Sequence, residues 1–164
     1  MTPVEQHMAE KVKIGGIIRN QDLAKIGIMS IPDRPGVAAA IFGALGERGI
    51  SCAFIVHTID LHNLDNIALC IARRHLPAAL KALEEIKEEV GAEVVYDGEV
   101  GMVSIFGPHF GQRAGIAGAM FEALATAGIN ILAISTSISS LSCIVDGKDM
   151  DRAVEALRES FDLP

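Results

Sequence analysis

Apolar and polar positions along this chain follow the same order twice. In each half a short Gly-containing loop is followed by apolar residues spaced three and four apart, which is the stripe of a helix packed on a sheet. The stripes fall at positions 37, 40, 41, 44 and 45 and at positions 116, 119, 120, 123 and 124. With Gly36 aligned on Gly115 the two segments match without a gap, and Phe42 falls on Phe121. Such internal repetition predicts two similar structural units.

Apolar runs typical of strands flank the helices. They are residues 25–31, a run from Ile50, residues 66–72 and 92–96 in the first half, and residues 102–106, a run from Ile129 and residues 141–145 in the second. A second helical stripe follows the third strand of each half. The order strand, helix, strand, strand, helix, strand is the ferredoxin-like arrangement. We therefore predict an α+β fold of two ferredoxin-like βαββαβ units, whose antiparallel sheets carry helices on one face.

The second unit runs out of sequence before its fourth strand. After its second helix only residues 161–164 remain, too few for the missing strand, whereas a strand-like segment at residues 11–18 precedes the first unit. An unpaired sheet edge is a liability for a folded protein. We therefore expect residues 11–18 to complete the second unit. The predicted units are residues 20–98 and residues 11–18 plus 101–164.

Composition narrows the classes of function. The chain of 164 residues has 14 lysines and arginines against 21 aspartates and glutamates, a net charge of −7, which argues against a nucleic-acid partner. Its apolar runs are shorter than a membrane span, and the N-terminus does not resemble a signal peptide. The three cysteines, an odd number in apolar surroundings, indicate reduced thiols. We expect a cytoplasmic protein with no membrane contact.

Patterns for catalysis and metal binding are missing from the sequence. The five histidines do not have metal-ligand spacing, and Cys-x-x-Cys is absent. The sequence also contains no phosphate-binding Gly-x-x-x-x-Gly-Lys loop and no recognisable Ser/His/Asp set. We therefore expect no catalytic residues, no metal and no cofactor.

The loop of residues 32–36, which leads into the first helix, is the best candidate for binding a small molecule. Backbone N–H groups at a helix start favour a carboxylate, and Asp33 can hold an ammonium group beside them. Together these groups fit the two ends of an α-amino acid. The alternative is an ordinary strand-to-helix turn in which Asp33 caps the helix. Asn130 is equally open to two interpretations, a ligand contact or a local turn.

Several segments together resemble the tandem ACT-domain regulatory region of aspartokinase. They are residues 32–38, Ile41-Phe42 with Ala44-Leu45 and Gly49-Ile50, and residues 54–56, 120–131, 134–137 and 153–161. The resemblance runs from about residue 14 to the C-terminus and holds in order and spacing. It implies a fold of two ACT units, the first strand of the chain being part of the second unit.

The resemblance also implies a function. That family binds free amino acids, chiefly threonine and lysine, between ACT units of paired chains, so a homodimer is implied, and a catalytic kinase subunit stays open as a further partner. The implied effector-binding residues are Asp33, Arg34, Pro35, Gly36, Val37, Ala38, His57, Thr58, Asn130, Ile131, Ser135, Thr136 and Ser137. Residues 135–142 are rich in hydroxyl groups, and the alternative is that these hydroxyls are only solvated or bond the backbone.

The sequence departs from the family at several positions, among them Ser139-Ser140-Leu141, where the family usually continues with a lysine. His57 stands where the family usually has glutamine, Thr58 where it has asparagine, and Ile138 where it has glutamate. Without that glutamate one anion for a side-chain ammonium is missing, so we rank threonine before lysine. The departures also support an alternative function, an ACT-fold assembly module that has lost its ligand.

A third possibility is a small hydrolase resembling acylphosphatase on the same fold. It requires an asparagine beside an arginine in an anion-binding loop, and no asparagine accompanies Arg34 or Arg113. We therefore expect a non-catalytic regulatory module. It is a separate subunit, a fragment of a longer kinase or a free-standing relative.

Overall fold

Two strands at the centre of the fold are longer than the sequence predicted. In the computed structural model, which describes residues 10–108 and 110–164, β2 spans Gly16–Pro32 and β5 spans Glu93–Phe106. The two are antiparallel and stay paired from Gly16 opposite Phe106 to Met29 opposite Glu93. The sequence predicted separate strands at residues 11–18 and 25–31 and at residues 92–96 and 102–106. The prediction of separate strands was wrong, because each pair belongs largely to one continuous strand.

A bulge in β2 explains why its continuity was missed. The polar residues between Ile18 and Leu23 lie between the two strands that the sequence predicted, but they are part of one continuous strand. Asp22 has a φ of 58°, and the register with β5 shifts between Asn20 and Leu23. A bulge bends a strand and increases its twist without ending it. It lets β2 pass from one unit into the other.

The remaining elements follow the predicted order. In the first unit they are α1 (Val37–Gly46), β3 (Cys52–Ile59), β4 (Leu64–Ala72) and α2 (Leu76–Val90). In the second unit they are α3 (Ile116–Thr126), β6 (Ala133–Thr136), β7 (Ser140–Asp146) and α4 (Met150–Ser160). Two short strands, β1 (Val12–Lys13) and β8 (Phe161–Asp162), pair in parallel, so the expectation of no strand after the last helix was wrong.

The six long strands form one sheet in the order β3-β4-β2-β5-β7-β6. The N-terminal stretch of β2, from Gly16 to Asn20, pairs with β5 beyond the bulge and is the fourth strand of the second unit. The C-terminal stretch of β2 lies between β4 and β5 and belongs to the first unit. The predicted fold class, two ferredoxin-like α+β units with the N-terminal strand completing the second, is confirmed.

Apolar side chains form three cores, one in each unit and one that joins the two units. One core lies between α1, α2 and the sheet, and a second lies between α3, α4 and the sheet. The third, on the opposite sheet face, joins Leu23, Phe54 and Cys70 to Val100 and Ile144. Because Phe54 is on β3 of the first unit and Ile144 is on β7 of the second, this core holds the two units together on the sheet face opposite the helices. Within residues 10–108 and 110–164, no helix has the length and apolar character needed to cross a bilayer.

Candidate functional site

The start of α1 is the centre of the predicted site. α1 begins directly after Gly36, whose φ of 96° lies in the left-handed region that glycine adopts without strain. Among the described residues no side chain caps the helix, and its first turn contains no acidic residue. The first N–H groups of a helix have no intrahelical partner, and the helix dipole favours an anion beside them. This helix start can therefore receive a carboxylate.

The space in front of this helix start is open. The loop residues Asp33–Gly36 are all exposed, and a Cβ built on Gly36 would meet no atom within 4 Å. A cavity of about 480 Å³ lies beside the loop, lined by Arg34, Pro35, Gly36, Val37, Ala40, Glu89 and Val90. A free amino acid is small enough to occupy part of this volume.

Arg34 has a structural contact in addition to its place in the cavity wall. Its guanidinium donates a hydrogen bond to the backbone carbonyl of Glu89, at the C-terminal end of α2. A cation there satisfies an otherwise unpaired carbonyl and matches the negative end of the helix dipole. The arginine thus ties the loop to α2, while Asp33 in the same loop is exposed.

His57 and Thr58 lie on β3, the end strand of the sheet, and both are exposed. His57 pairs with Ile67 and Thr58 with Asn66 on β4. The His57 Nε2 atom is 3.4 Å from the Oδ1 atom of Asp65, a carboxylate that is only 5% exposed. Asp65 is not among the residues that the sequence predicted for the site. Its signal in the sequence is a carboxylate at an inward position of a strand that is otherwise apolar except for Asn66.

Hydrogen bonds fix the ends of the strands beneath the loop. The Oδ1 atom of Asn66 accepts from the backbone N–H of Ser30 at 3.0 Å, where β2 bulges with a φ of 59°. The Asp60 carboxylate accepts from the backbone N–H groups of His62 and Leu64, and these bonds lower the pKa of Asp60. The β3–β4 turn is therefore well ordered next to the candidate site.

Asn130 and Ile131 lie before β6 in the second unit, where Asn130 is exposed and Ile131 half-buried. All residues that line the cavity beside the Asp33 loop come from the first unit. Within one chain, the structure therefore does not bring Asn130 and Ile131 into that cavity.

Ser135 does not line the cavity beside the Asp33 loop but a second cavity. Its register partner on β7 is Ser142, which in turn pairs with Ser104 on β5. The three serines are therefore neighbours across three adjacent strands. The hydroxyls of Ser104 and Ser142 are 2.6 Å apart. Ser135 lines a cavity of about 470 Å³ together with these two serines and with residues of β3.

Ser137 stabilises the β6–β7 turn. Its hydroxyl accepts hydrogen bonds from the backbone N–H groups of Ser139 and Ser140, at 3.3 and 3.1 Å. The Ser137 and Ser140 hydroxyls are also 2.8 Å apart. Thr136, between Ser135 and Ser137, is exposed. The three hydroxyl residues therefore have three different surroundings.

The equivalent loop of the second unit is anchored by two of its own side chains. α3 also begins after a left-handed glycine, Gly115, with a φ of 88°. However, Phe110 of this loop is 6% exposed and packs in the core under α3 and α4. The guanidinium of Arg113 donates to the carbonyl of Lys13 at 2.7 Å. This loop is anchored on both sides.

Residues 10–108 and 110–164 contain neither a cluster of metal-ligating side chains nor a thiol with a lowered pKa. No group of three or more His, Cys, Asp or Glu side chains is placed there to hold a metal ion. Burial raises the pKa of Cys70 and of Cys143 to about 12, and it also raises the pKa of Cys52. Protonated thiols are poor nucleophiles and poor metal ligands.

Comparison with protein families matches both units of the chain. Two ACT-domain family models match, one at residues 26–88 and one at residues 103–161. An aspartate kinase of Pseudomonas fluorescens is 38% identical over 160 residues, which are 97% of this chain and 39% of that protein. An aspartokinase of Thermus thermophilus is 33% identical over 152 residues, 92% of this chain and 38% of its own length. The chain thus spans about two fifths of the length of these relatives.

Solved structures with the same fold cover nearly the whole chain. The regulatory subunit of aspartate kinase from Thermus thermophilus, in its ligand-free form, superposes with a TM-score of 0.84 at 32% identity, covering 91% of this chain and 99% of that one. The corresponding subunit from Thermus flavus gives a TM-score of 0.85 at 32% identity and covers 92% and 99% of the two chains.

Proposed function

Because this chain belongs to the ACT-domain regulatory subunits of aspartokinase, we propose that it is a non-catalytic module that senses a free amino acid. The sequence corresponds to the ACT regulatory part of its longer relatives. We propose threonine as the effector, with lysine second, and a catalytic aspartokinase subunit as the partner that receives the signal.

The observation that carries this proposal is the open start of α1. Gly36 turns the chain so that uncapped N–H groups face an open space beside a cavity of about 480 Å³. The effector carboxylate binds these N–H groups, and the exposed Asp33 carboxylate receives its ammonium group. The hydroxyl of threonine or the chain of lysine then extends toward His57 and Thr58.

The other side of the site comes from a second copy of the chain. Asn130 and Ile131 do not line the cavity within one chain, so we propose that a partner supplies them. β3 and β6 are the two end strands of the sheet, and each has one unpaired edge within the described residues. Antiparallel pairing of β3 with the partner's β6 brings the end of β3, with His57 and Thr58, toward the start of β6.

Exposed aliphatic residues support pairing at these edges. Ile55 and Ile59 on β3 are 45% and 53% exposed, and Ile134 on β6 is 39% exposed. Unpaired edges with apolar side chains favour association, and cyclic homodimers are the commonest assembly. An amino acid bound across this interface stabilises one arrangement of the chains over another, and this difference is the signal to the kinase partner.

The proposed compartment is the cytoplasm. All three cysteines are free thiols, with Cys70 and Cys143 buried and Cys52 partly so. Free thiols are typical of a reducing compartment.

Isothermal titration calorimetry tests this proposal with three variants of the chain. Threonine should bind the wild type, and Asp33→Ala and Asn130→Ala should each weaken binding about tenfold or more, because each removes a hydrogen bond to a charged group worth ~1.5–3 kcal/mol. Glu155→Ala, which removes an exposed carboxylate on α4, is the control and should bind like the wild type. Sedimentation should show a dimer at micromolar concentration.

An assembly module without a ligand is the second candidate. The exposed aliphatic residues of β3 and β6 favour it as much as they favour the sensor, because an interface needs no effector. A dimer that releases no heat with any proteinogenic amino acid at millimolar concentration would establish this alternative and refute the sensor.

A further inference from the structure

The Asp65 carboxylate is the most unusual buried group outside the predicted site residues. It lies in β4 and is only 5% exposed, and its Oδ1 atom makes no hydrogen bond within the described part of the chain. A buried carboxylate without a donor is costly, so such a group requires an explanation. The basic side chain that reaches it is His57, whose Nε2 atom is 3.4 Å from Oδ1 but not aligned for a hydrogen bond.

The position of Asp65 connects it to the candidate site. Its register partners are Ile31 on β2, two residues before Asp33, and Ile59 on β3. His57, diagonally across from it on β3, is 45% exposed and lies on an edge strand with space to turn. Diagonal neighbours in a sheet are within reach of long side chains. Asp65 therefore contacts a proposed effector residue from the buried side.

We infer that Asp65 is a positioning residue of the amino-acid site, acting through His57 to favour an effector that carries a hydroxyl group. The inference rests on the proposed function. When an effector covers His57, the Nε2–H group closes a charge-assisted hydrogen bond to the Asp65 carboxylate. A neutral imidazole has one donor and one acceptor, so Nδ1 is then fixed as the acceptor. This Nδ1 atom accepts a hydrogen bond from the hydroxyl of threonine. When the isostere valine is bound instead, Nδ1 has no donor.

The test compares the affinities of threonine and valine, in which a methyl group replaces the hydroxyl. Both are titrated calorimetrically into the wild type, Asp65→Asn, His57→Leu and the double variant. The wild type should prefer threonine. Asp65→Asn should reduce the ratio of the two affinities about three- to tenfold, the size of one hydrogen bond. Asp97→Asn, the same change at an exposed position of β5, should leave the ratio unchanged.

The double variant separates positioning from mere structural support. If Asp65 acts through His57, Asp65→Asn should have no further effect on the ratio once His57 is leucine. A supporting role in the strand would instead weaken threonine and valine in parallel in both backgrounds, and that result would overturn the inference. If Asp65→Asn does not fold, His57→Leu on the exposed edge must still lose the preference, and a retained preference refutes the inference.

Failure of the inference is distinguishable from failure of the proposed function. A wild type that binds no amino acid overturns both. A wild type that binds threonine, with the same threonine-to-valine ratio in Asp65→Asn, overturns the inference alone and leaves the sensor intact.

Discussion

The loops before α1 and α3 hold equivalent places in the repeat, yet their side chains make different contacts. Both helices begin after a glycine with positive φ, Gly36 and Gly115, and neither is capped by a side chain within the described residues. In the first unit the loop is exposed beside a cavity of about 480 Å³. In the second unit Phe110 fills the core below the loop, and Arg113 binds the carbonyl of Lys13.

This difference shows that a repeated backbone does not imply a repeated site. The backbone device, a left-handed glycine before an uncapped helix, is present twice. The surrounding side chains differ: a cavity lies beside the first helix start, whereas Phe110 and Arg113 anchor the loop before the second. In the second unit the loop residues stabilise the fold and hold the crossing N-terminal segment, so we expect that loop to contribute stability and the first loop to contribute binding.

The largest expected effect is on stability in the second unit. Phe110→Ala should lower the free energy of unfolding by about 3–5 kcal/mol, because it removes a buried aromatic ring from the core. Pro35→Ala in the exposed loop of the first unit is the control and should change stability by about 1 kcal/mol or less, through the greater freedom of the unfolded chain. Urea unfolding measures both. A loss below about 1 kcal/mol for Phe110→Ala would show that the second loop is not built into the core.

The two glycines should have similar effects on stability and different effects on binding. Gly36→Ala and Gly115→Ala should each cost about 1 kcal/mol, because each forces alanine into the left-handed region while its Cβ meets no other atom within 4 Å. Only Gly36→Ala should also weaken threonine binding, since it moves the N–H groups that we propose bind the effector carboxylate. Equal losses of affinity in the two variants would refute the distinction between the loops.

The two loop arginines should differ in what they hold. Each makes one side-chain hydrogen bond to a backbone carbonyl, so Arg34→Ala and Arg113→Ala should each cost about 0.5–1.5 kcal/mol. Arg113→Ala should in addition speed hydrogen exchange at the Ile14 amide, which bonds to the Asp162 carbonyl next to Lys13. Arg34→Ala should leave that amide unchanged. Faster exchange in both variants would argue for a global rather than a local effect.

The last prediction concerns the buried cysteines, a feature that the two units share. Burial raises the pKa of Cys70 and of Cys143 to about 12, whereas a thiol in an unfolded chain ionises near pH 8.5. Between these values the folded state binds more protons than the unfolded state, so the free energy of unfolding falls as the pH rises. Cys70→Ala and Cys143→Ala should each flatten this alkaline fall to a similar extent in urea unfolding at several pH values. A profile that neither substitution changes would contradict the shared burial.

The repeat made the fold largely predictable from sequence. The helices and the crossover of the N-terminal segment followed from the apolar stripes and from the missing edge strand. The continuity of β2 did not, because a strand that passes from one unit to the other presents polar residues where neither core covers it. The bulge at Asp22 shifts the register there, so no period-2 pattern runs through the whole strand.

The candidate site was less predictable than the fold. The loop could be recognised because glycine before a helix stripe has a conformational meaning. The contacts of Arg34 with Glu89 and of His57 with Asp65 join elements distant in sequence, and no local pattern reveals them. Asp65 in particular is one carboxylate in an apolar strand, and only its burial beside His57 distinguishes it from a surface residue.

The number of amino-acid molecules bound per chain tests the difference between the loops most directly. Calorimetric titration of the wild-type dimer with threonine should give one site per chain, because each proposed site uses the Asp33 loop of one chain. Two equivalent sites per chain would contradict the account by showing that the anchored second loop binds as well. Absence of binding would contradict it by showing that the open helix start is not an effector site.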